Sequence, residues 1–242
     1  MDVTDRQLSE QMRKEFSANV SHELKTPLQS ILGYAEILKD GLVKPEDAPR
    51  FISRIYDESR RLITLVEDII NLSRLDEQCS DFPKERVELL DLCKETVSRL
   101  KAMAEEAGVK IDVLGQSAII DGVRQALGEM VYNLLDNAIK YNKRGGTAQL
   151  MVEQQKGCVL LKVKDNGIGI PSEHQIRIFE RFYRVDKSHS RDTGGTGLGL
   201  SIVKHSAALH NAQLSLTSRD GYGTEIIVAF PIKTISSSKP SV

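Results

Sequence analysis

The chain has no apolar run of 18 residues and no signal peptide, so none of its 242 residues reads as a membrane span or a secretory leader. It has no excess of charge. Its 34 acidic and 33 basic residues nearly cancel, which removes bulk attraction to nucleic acid or to an anionic membrane as an expectation. It has no C-x-x-C: Cys79, Cys93 and Cys158 stand far apart, as buried reduced thiols of a cytoplasmic protein would. No ligand spacing suggests a metal site built from protein alone. Two familiar phosphate loops are missing as well. No glycine run leads into G-K-[ST], and none directly follows a strand as the Rossmann fingerprint requires. What remains, 28% charged and 40% hydrophobic, suits a soluble globular protein with room for one large or two modest domains.

The stretch FSANVSHELKTPL, residues 16–28, carries the first chemical signal. Phe16, Val20, Leu24, Leu28, Ile31, Ala35 and Leu38 recur at steps of three or four and form one stripe of a helix. His22 falls roughly 175° from the middle of that stripe and so faces water. Thr26 lies about 40° from it on the same outer face, and Glu23 is its immediate neighbour. Pro27 removes the donor that the Glu23 carbonyl would use, which predicts a helix over residues 5–40 interrupted beside the histidine. The plain alternative is a surface histidine on a solvated helix, with Thr26 bonding back to the His22 carbonyl.

Gly41 and Pro45 end this helix, and a second runs from about Glu46 to Glu77. Its apolar residues (among them Ile52, Leu62, Ile63, Leu65, Val66, Ile70 and Leu72) cover close to half the wheel, wider than one helical partner needs. A hairpin of two such helices cannot bury both faces. The expectation is a homodimer forming a four-helix bundle, with a dimeric coiled coil devoid of chemistry as the alternative. Most of the charged residues around the turn and along the second helix, a set that includes Glu58 and Arg61, read as solvated.

After a linker at 79–84 the texture changes. β-rich runs at Val109–Leu114, Ala148–Val152, Val159–Val163, Gln213–Thr217 and Glu225–Phe230 alternate with helices at Leu89–Ala107, Val123–Tyr141 and Leu198–His210. This predicts an α/β domain with helices on one face of a mixed sheet. Three stretches in it carry chemistry. In EMVYNLLDNAIKYN, Asn133, Asn137 and Tyr141 share a face with Lys140 alongside, and a neutral amide oxygen suits Mg²⁺ that phosphates also hold. In DNGIGI, Asp165 ends a strand where it can accept from the amino group of adenine, and Gly167 and Gly169 allow close approach of the base. In TGGTGLGLSIVK, glycines lead into a helix whose free N–H groups receive phosphate.

SHELKTPL at 21–28 resembles the H-box of bacterial sensor histidine kinases, and the three later stretches are similar to the N, G1 and G2 boxes of the GHKL (Bergerat) ATP-binding fold. FERFYRVD at 179–186 is similar to the F box. The resemblance implies a dimerisation and phosphoacceptor domain over 1–78, a catalytic ATP-binding domain over 85–235 and a disordered tail at 236–242. It implies autophosphorylation of His22 from ATP with Mg²⁺ on Asn137, then transfer to an aspartate of a response-regulator receiver domain. Glu23 would hold or deprotonate the imidazole. Asn133, Asn137, Lys140, Tyr141, Asp165, Gly167, Gly169, Ile170, Arg184, Gly195, Thr196, Gly197, Leu198, Gly199 and Thr224 would form the nucleotide pocket, with 186–193 as a lid. E-x-x-T at 23–26 resembles the pattern tied to phosphatase activity toward the regulator. Membrane attachment, if any, would come through upstream segments, and His174, His205 and His210 read as ordinary surface or packing residues. Two alternatives stay open here: a scaffold whose ATP site is structural only, and a gyrase-like conformational ATPase, which would carry a glutamate base where this chain has Asn133.

Overall fold

In the computed structural model, residues 3–76, 83–185 and 195–232 are described, with side chains from Glu15 to Leu75 in the first stretch. Helix α1 (Val3–Lys39) and helix α2 (Ala48–Asp76) pack as a hairpin. The expected interruption at Pro27 does not occur: α1 runs through it as one helix. Proline removes a single hydrogen bond, and Pro27 is itself buried, so packing on both sides of the gap outweighs the lost donor. Tyr34 meets Phe51 edge-on across the hairpin, ring centroids 5.7 Å apart. Glu58 and Arg61 are not on the solvated face but half-buried, their charged groups 3.9 Å apart. Among the described residues no helix is long and apolar enough to cross a membrane.

The second part is an α/β sandwich. Strands β1 (Glu85–Glu88) and β3 (Ile119–Gly122) pair antiparallel beside helix α3 (Leu89–Ala107). The main sheet has the order β2 (Lys110–Gly115), β4 (Thr147–Gln155), β5 (Cys158–Asp165), β7 (Gly223–Pro231) and β6 (Gln213–Arg219). The β2–β4 pair is parallel and the others antiparallel, so the sheet is mixed as expected. Alternation buries Leu150 and Val152 from β4 and Val159 and Leu161 from β5 against α3 and α4 (Arg124–Lys140). Helix α5 (Gly199–Leu209) completes the helical layer beside α4.

Local chemistry explains the boundaries. The Glu88 carboxylate accepts from the Asp91 N–H to open α3, and Gly108, at φ 68°, closes it in the left-handed region. Of the two roles expected, surface or packing, the structure shows packing for His210. Its ring is buried, Nδ1 sits 2.7 Å from the Ser206 carbonyl, and Nε2 accepts from the Val123 N–H at 3.0 Å. It thereby caps α4 from the end of α5, and burial holds its pKa below the ordinary histidine range. Cys93 is buried, with its thiol pushed up to about 12 by desolvation, whereas Cys158 is only half-buried. Cys79, all of the predicted linker but Pro83 and Lys84, the 186–193 stretch and the tail at 236–242 lie outside the described residues.

Candidate functional site

Tyr141 is where the three stretches of the α/β part meet. It caps α4, and its carbonyl accepts from the Ile168 N–H at 3.0 Å, which ties the DNGIG turn to the helix end. A side chain at Gly167 would land on that carbonyl, so the turn seats closely against it. Across the gap, the Tyr141 hydroxyl lies 3.2 Å from where a Cβ on Gly195 would be. Gly169 has φ 71° and its backbone runs against Arg219, a placement that excludes any side chain.

Asp165 ends β5, and its Oδ1 accepts from the Gly167 N–H at 2.8 Å and the Thr224 N–H at 3.2 Å. Among the described residues Oδ2 takes no hydrogen bond, so one oxygen orients the carboxylate and the other is available. Burial raises the Asp165 pKa, with the two N–H groups opposing. Ser218, which the sequence reading passed over, accepts from the Ile170 N–H at 2.9 Å and contacts the Thr224 hydroxyl at 2.8 Å. No spacing in the sequence marks a serine from β6 for that position.

On α4 the residues divide. Asn133 is buried, donating to the Glu129 carbonyl at 2.8 Å. A Cβ on Gly199 would come within 2.6 Å of its amide oxygen, so the amide packs beneath the start of α5. Asn137 is half-buried one turn on. The Lys140 ammonium sits 2.7 Å from Asp136 Oδ2, while Asp136 Oδ1 is buried with no hydrogen-bond partner among the described residues. The i,i+4 pair of Asp136 and Lys140 was readable from spacing, yet Asp136 was not singled out. Arg184 is half-buried, two residues beyond Phe182, whose N–H donates to the Gly197 carbonyl at 2.9 Å. Thr196 accepts from the Leu198 N–H at 3.3 Å and donates to Asp68 of α2 at 2.6 Å. Gly194 lies outside the described residues.

Asn137 offers one neutral amide oxygen, and among the described residues no group of three or more His, Cys, Asp or Glu could hold a metal ion. That donor set fits a Mg²⁺ that arrives with phosphates and water, not a resident ion.

His22 stands apart from this cluster. Its side chain is 80% exposed, and Nδ1 lies 3.7 Å from the Glu23 carboxylate. Thr26 donates its hydroxyl to the His22 carbonyl at 3.2 Å, as the structural alternative expected. The α/β part touches the helical hairpin elsewhere. Leu65 and Leu72 of α2 pack on Leu198 and Ile202, with Phe16, Leu24 and Phe182 at the margin. The Phe16 and Phe182 rings lie 5.8 Å apart, and the Arg181 guanidinium stands 5.0 Å over Phe16. Phe16 and Leu24 belong to the stripe opposite His22, so this contact leaves the imidazole open.

Residues 12–78 match the His Kinase A (phospho-acceptor) domain, and 122–234 match the histidine kinase-, DNA gyrase B- and HSP90-like ATPase. The chain is 36% identical over 237 residues to the sensor protein kinase WalK of Staphylococcus aureus, covering 97% of this chain and 57% of that protein. It thus spans less than two thirds of the curated relatives it matches. Among solved structures, a mycobacterial sensor histidine kinase, MprB, superposes with TM-score 0.55 at 28% identity over 62% of this chain and 97% of that one. The histidine kinase ThkA, in complex with the response regulator protein TrrA, shares the fold at TM-score 0.72 and 21% identity, over 96% of this chain and 67% of that one.

Proposed function

The chain belongs to the histidine kinases, as a phosphoacceptor domain followed by an ATPase domain, and on that premise we propose that it moves the γ-phosphoryl group of ATP to His22. From there the group passes to an aspartate of a response-regulator receiver domain, the kind of partner that ThkA holds in its complex. The observation that carries this reading is the exposure of His22, 80% open to solvent with a carboxylate on one side only. A charge beside Nδ1 favours the tautomer protonated there, which leaves the Nε2 lone pair outward as the nucleophile.

The adenine amino group would meet Asp165 Oδ2, and the triphosphate would lie toward Lys140, Arg184 and the N–H groups at the start of α5. Asn137 would hold Mg²⁺ between the phosphates, and the ion supplies positive charge to the transferring group. Asn133 is an amide and no base, so water in this pocket is not activated and the phosphoryl group is kept for the histidine. The seating of the α/β part on the face away from His22 means that it must leave α2 before it can deliver phosphate.

Dimerisation belongs to the same reading. Leu28 and Leu32 on α1 and Ile52, Ile63, Val66 and Ile70 on α2 are all exposed, and a second copy would cover them as a four-helix bundle. The domain limits carried forward are 1–78 and 85–235. Phosphatase activity toward the regulator would rest on Thr26: its proton goes to the His22 carbonyl, and its lone pairs remain to orient a water.

Incubation with γ-labelled ATP tests the reading. Label that is acid-labile and base-stable is expected on the unmodified chain. His22→Gln should lose it entirely while binding ATP within a few fold, because acceptor and pocket lie in separate parts. Comparable labelling of His22→Gln would overturn it.

A further inference from the structure

Asp68 and Ile69 each lie three or four residues from both Leu65 and Leu72, so the four share a face of α2. Three of them are apolar and pack in the cluster with Leu198 and Ile202 of α5. The fourth, Asp68, is a half-buried carboxylate on that same face. A charge there is costly to bury unless something answers it. What answers it is the Thr196 hydroxyl, 2.6 Å from Oδ2 and 128 residues away in the chain. A lone polar pair beside an apolar contact adds little net attraction but fixes one seating among many.

Thr196 has a single hydroxyl proton. It also stands in the glycine loop at the start of α5, where the reading above puts the phosphates. We propose that Asp68 couples the nucleotide site to the seating of the ATPase domain: the Thr196 proton goes either to Asp68, which holds the domain on α2, or to a nucleotide phosphate, which releases it. The proposal rests on the kinase reading for the identity of the ligand. The exclusion has two parts. One proton cannot serve two anions, and a polyphosphate brought to this loop faces the half-buried Asp68 charge, where repulsion is screened less than between fully exposed groups.

The direction of the coupling then follows from linkage. A ligand that binds better when the domain is off α2 moves the domain off α2, and the seated state weakens the ligand by the same factor. Nucleotide binding would thus free the domain at the moment it carries something to deliver. Without nucleotide it stays seated, with His22 exposed to a receiver domain.

The test uses the full chain, a non-hydrolysable ATP analogue with Mg²⁺, and amide hydrogen exchange over residues 65–72 and 198–206. In the unmodified chain the saturating analogue should raise exchange over 65–72. In Asp68→Ala the conflict is removed, so the analogue should bind at least about fivefold tighter, the low end of ordinary coupling between sites, and exchange over 65–72 should no longer respond to it. Asp68→Asn keeps an acceptor without the charge and should fall between the two, which separates the shared proton from the repulsion. Neither substitution replaces a pocket residue; the one pocket side chain that Asp68 contacts is Thr196, whose hydroxyl is left in place. Binding of the analogue with equal affinity in all three chains, or an unchanged exchange response in Asp68→Ala, overturns the coupling and leaves the kinase reading intact. Failure of the unmodified chain to bind the analogue at all defeats the kinase reading, and nucleotide-driven release falls with it.

Discussion

The helical hairpin and the α/β domain solve the problem of burial to different degrees. In the α/β domain Leu127, Val131, Leu135, Leu150, Leu161 and Val228 are fully buried, and the sheet covers one face of three helices. In the hairpin Leu32 and Ile63 are each 58% exposed, and they are typical of the faces that carry them. One part is a finished core. The other leaves apolar faces exposed among the described residues, which the proposed second copy would cover. Changes in the first should therefore act on folding, and changes in the second on assembly.

The largest effect tests that contrast directly. Leu127→Ala should lower the stability of the α/β domain by about 2–5 kcal/mol, the range for deleting most of a buried leucine. Ile63→Ala should leave monomer stability within about 0.5 kcal/mol and instead weaken self-association. Denaturant unfolding at several protein concentrations checks both. A midpoint that drops equally, and independently of concentration, for the two variants would mean that the hairpin is as self-sufficient as the sandwich.

How far the sequence disclosed these two parts follows the same divide. The expected Leu89–Ala107 span matches helix α3, whose ends the structure fixes by local chemistry, a capping Glu88 and a left-handed Gly108. The five strands of the main sheet were read because each alternates or is wholly apolar. Strands β1 and β3 were missed, being four residues long with too few alternations to register. The glycines and asparagines of the pocket were legible as motifs, but their roles were not. Nothing local says that Asn133 is packed under Gly199, or that Ser218 holds Thr224. Contacts made across long stretches of chain, such as Asp68 with Thr196 or His210 with Val123, leave no local trace at all. Pro27 misled for the opposite reason: a strong local signal was overruled by packing.

The contact between the two parts should depend on pH. Burial lifts the Asp68 pKa from 3.8 to about 6 when the domain is seated, opposed by the Thr196 hydrogen bond and by Lys140 and reinforced by Glu129 and Asp136. A carboxylate raised in the seated state favours seating while it is protonated. That contribution is whole below the ordinary value near 4 and fades as pH rises through about 6. It amounts to at most about 3 kcal/mol. Exchange over 65–72, corrected for the intrinsic rate, should rise between about pH 4 and 6 and level off above that, and Asp68→Asn should flatten the response. A rise of the same size in Asp68→Asn would assign the effect to another group.

Within the finished domain, Asp165→Asn should weaken ATP by about 1–3 kcal/mol, the cost of presenting an amino group with a mismatched partner. The Gly167 and Thr224 N–H groups can still be met by an amide oxygen, so the turn should hold and thermal stability should change little. Titration with ATP and GTP sharpens the assignment. Guanine carries an acceptor where adenine carries the amine, so the unmodified chain should prefer ATP and the variant should lose that preference. Equal affinity for both nucleotides in the unmodified chain would remove Asp165 from base recognition.

The smallest effect falls on the outer face of the hairpin. Thr26 lies one turn from His22, and its hydroxyl already donates to the His22 carbonyl. A hydroxyl so engaged keeps two lone pairs, which is enough to accept from a water and aim its oxygen, but not enough to deprotonate it. The receiver domain's own groups would have to supply most of the electrostatics for hydrolysis of its aspartyl phosphate. Transfer to His22 needs no water and no hydroxyl. Thr26→Ala should therefore keep autophosphorylation within a few fold while slowing loss of phosphate from the regulator about tenfold, roughly 1.4 kcal/mol of barrier. Thr26→Ser keeps the hydroxyl and should restore most of the rate. The rival role is structural: the bond to the His22 carbonyl steadies the helix just before Pro27, where one backbone acceptor has lost its donor. In that case both activities fall together in Thr26→Ala, and the two substitutions assayed for both activities decide between them.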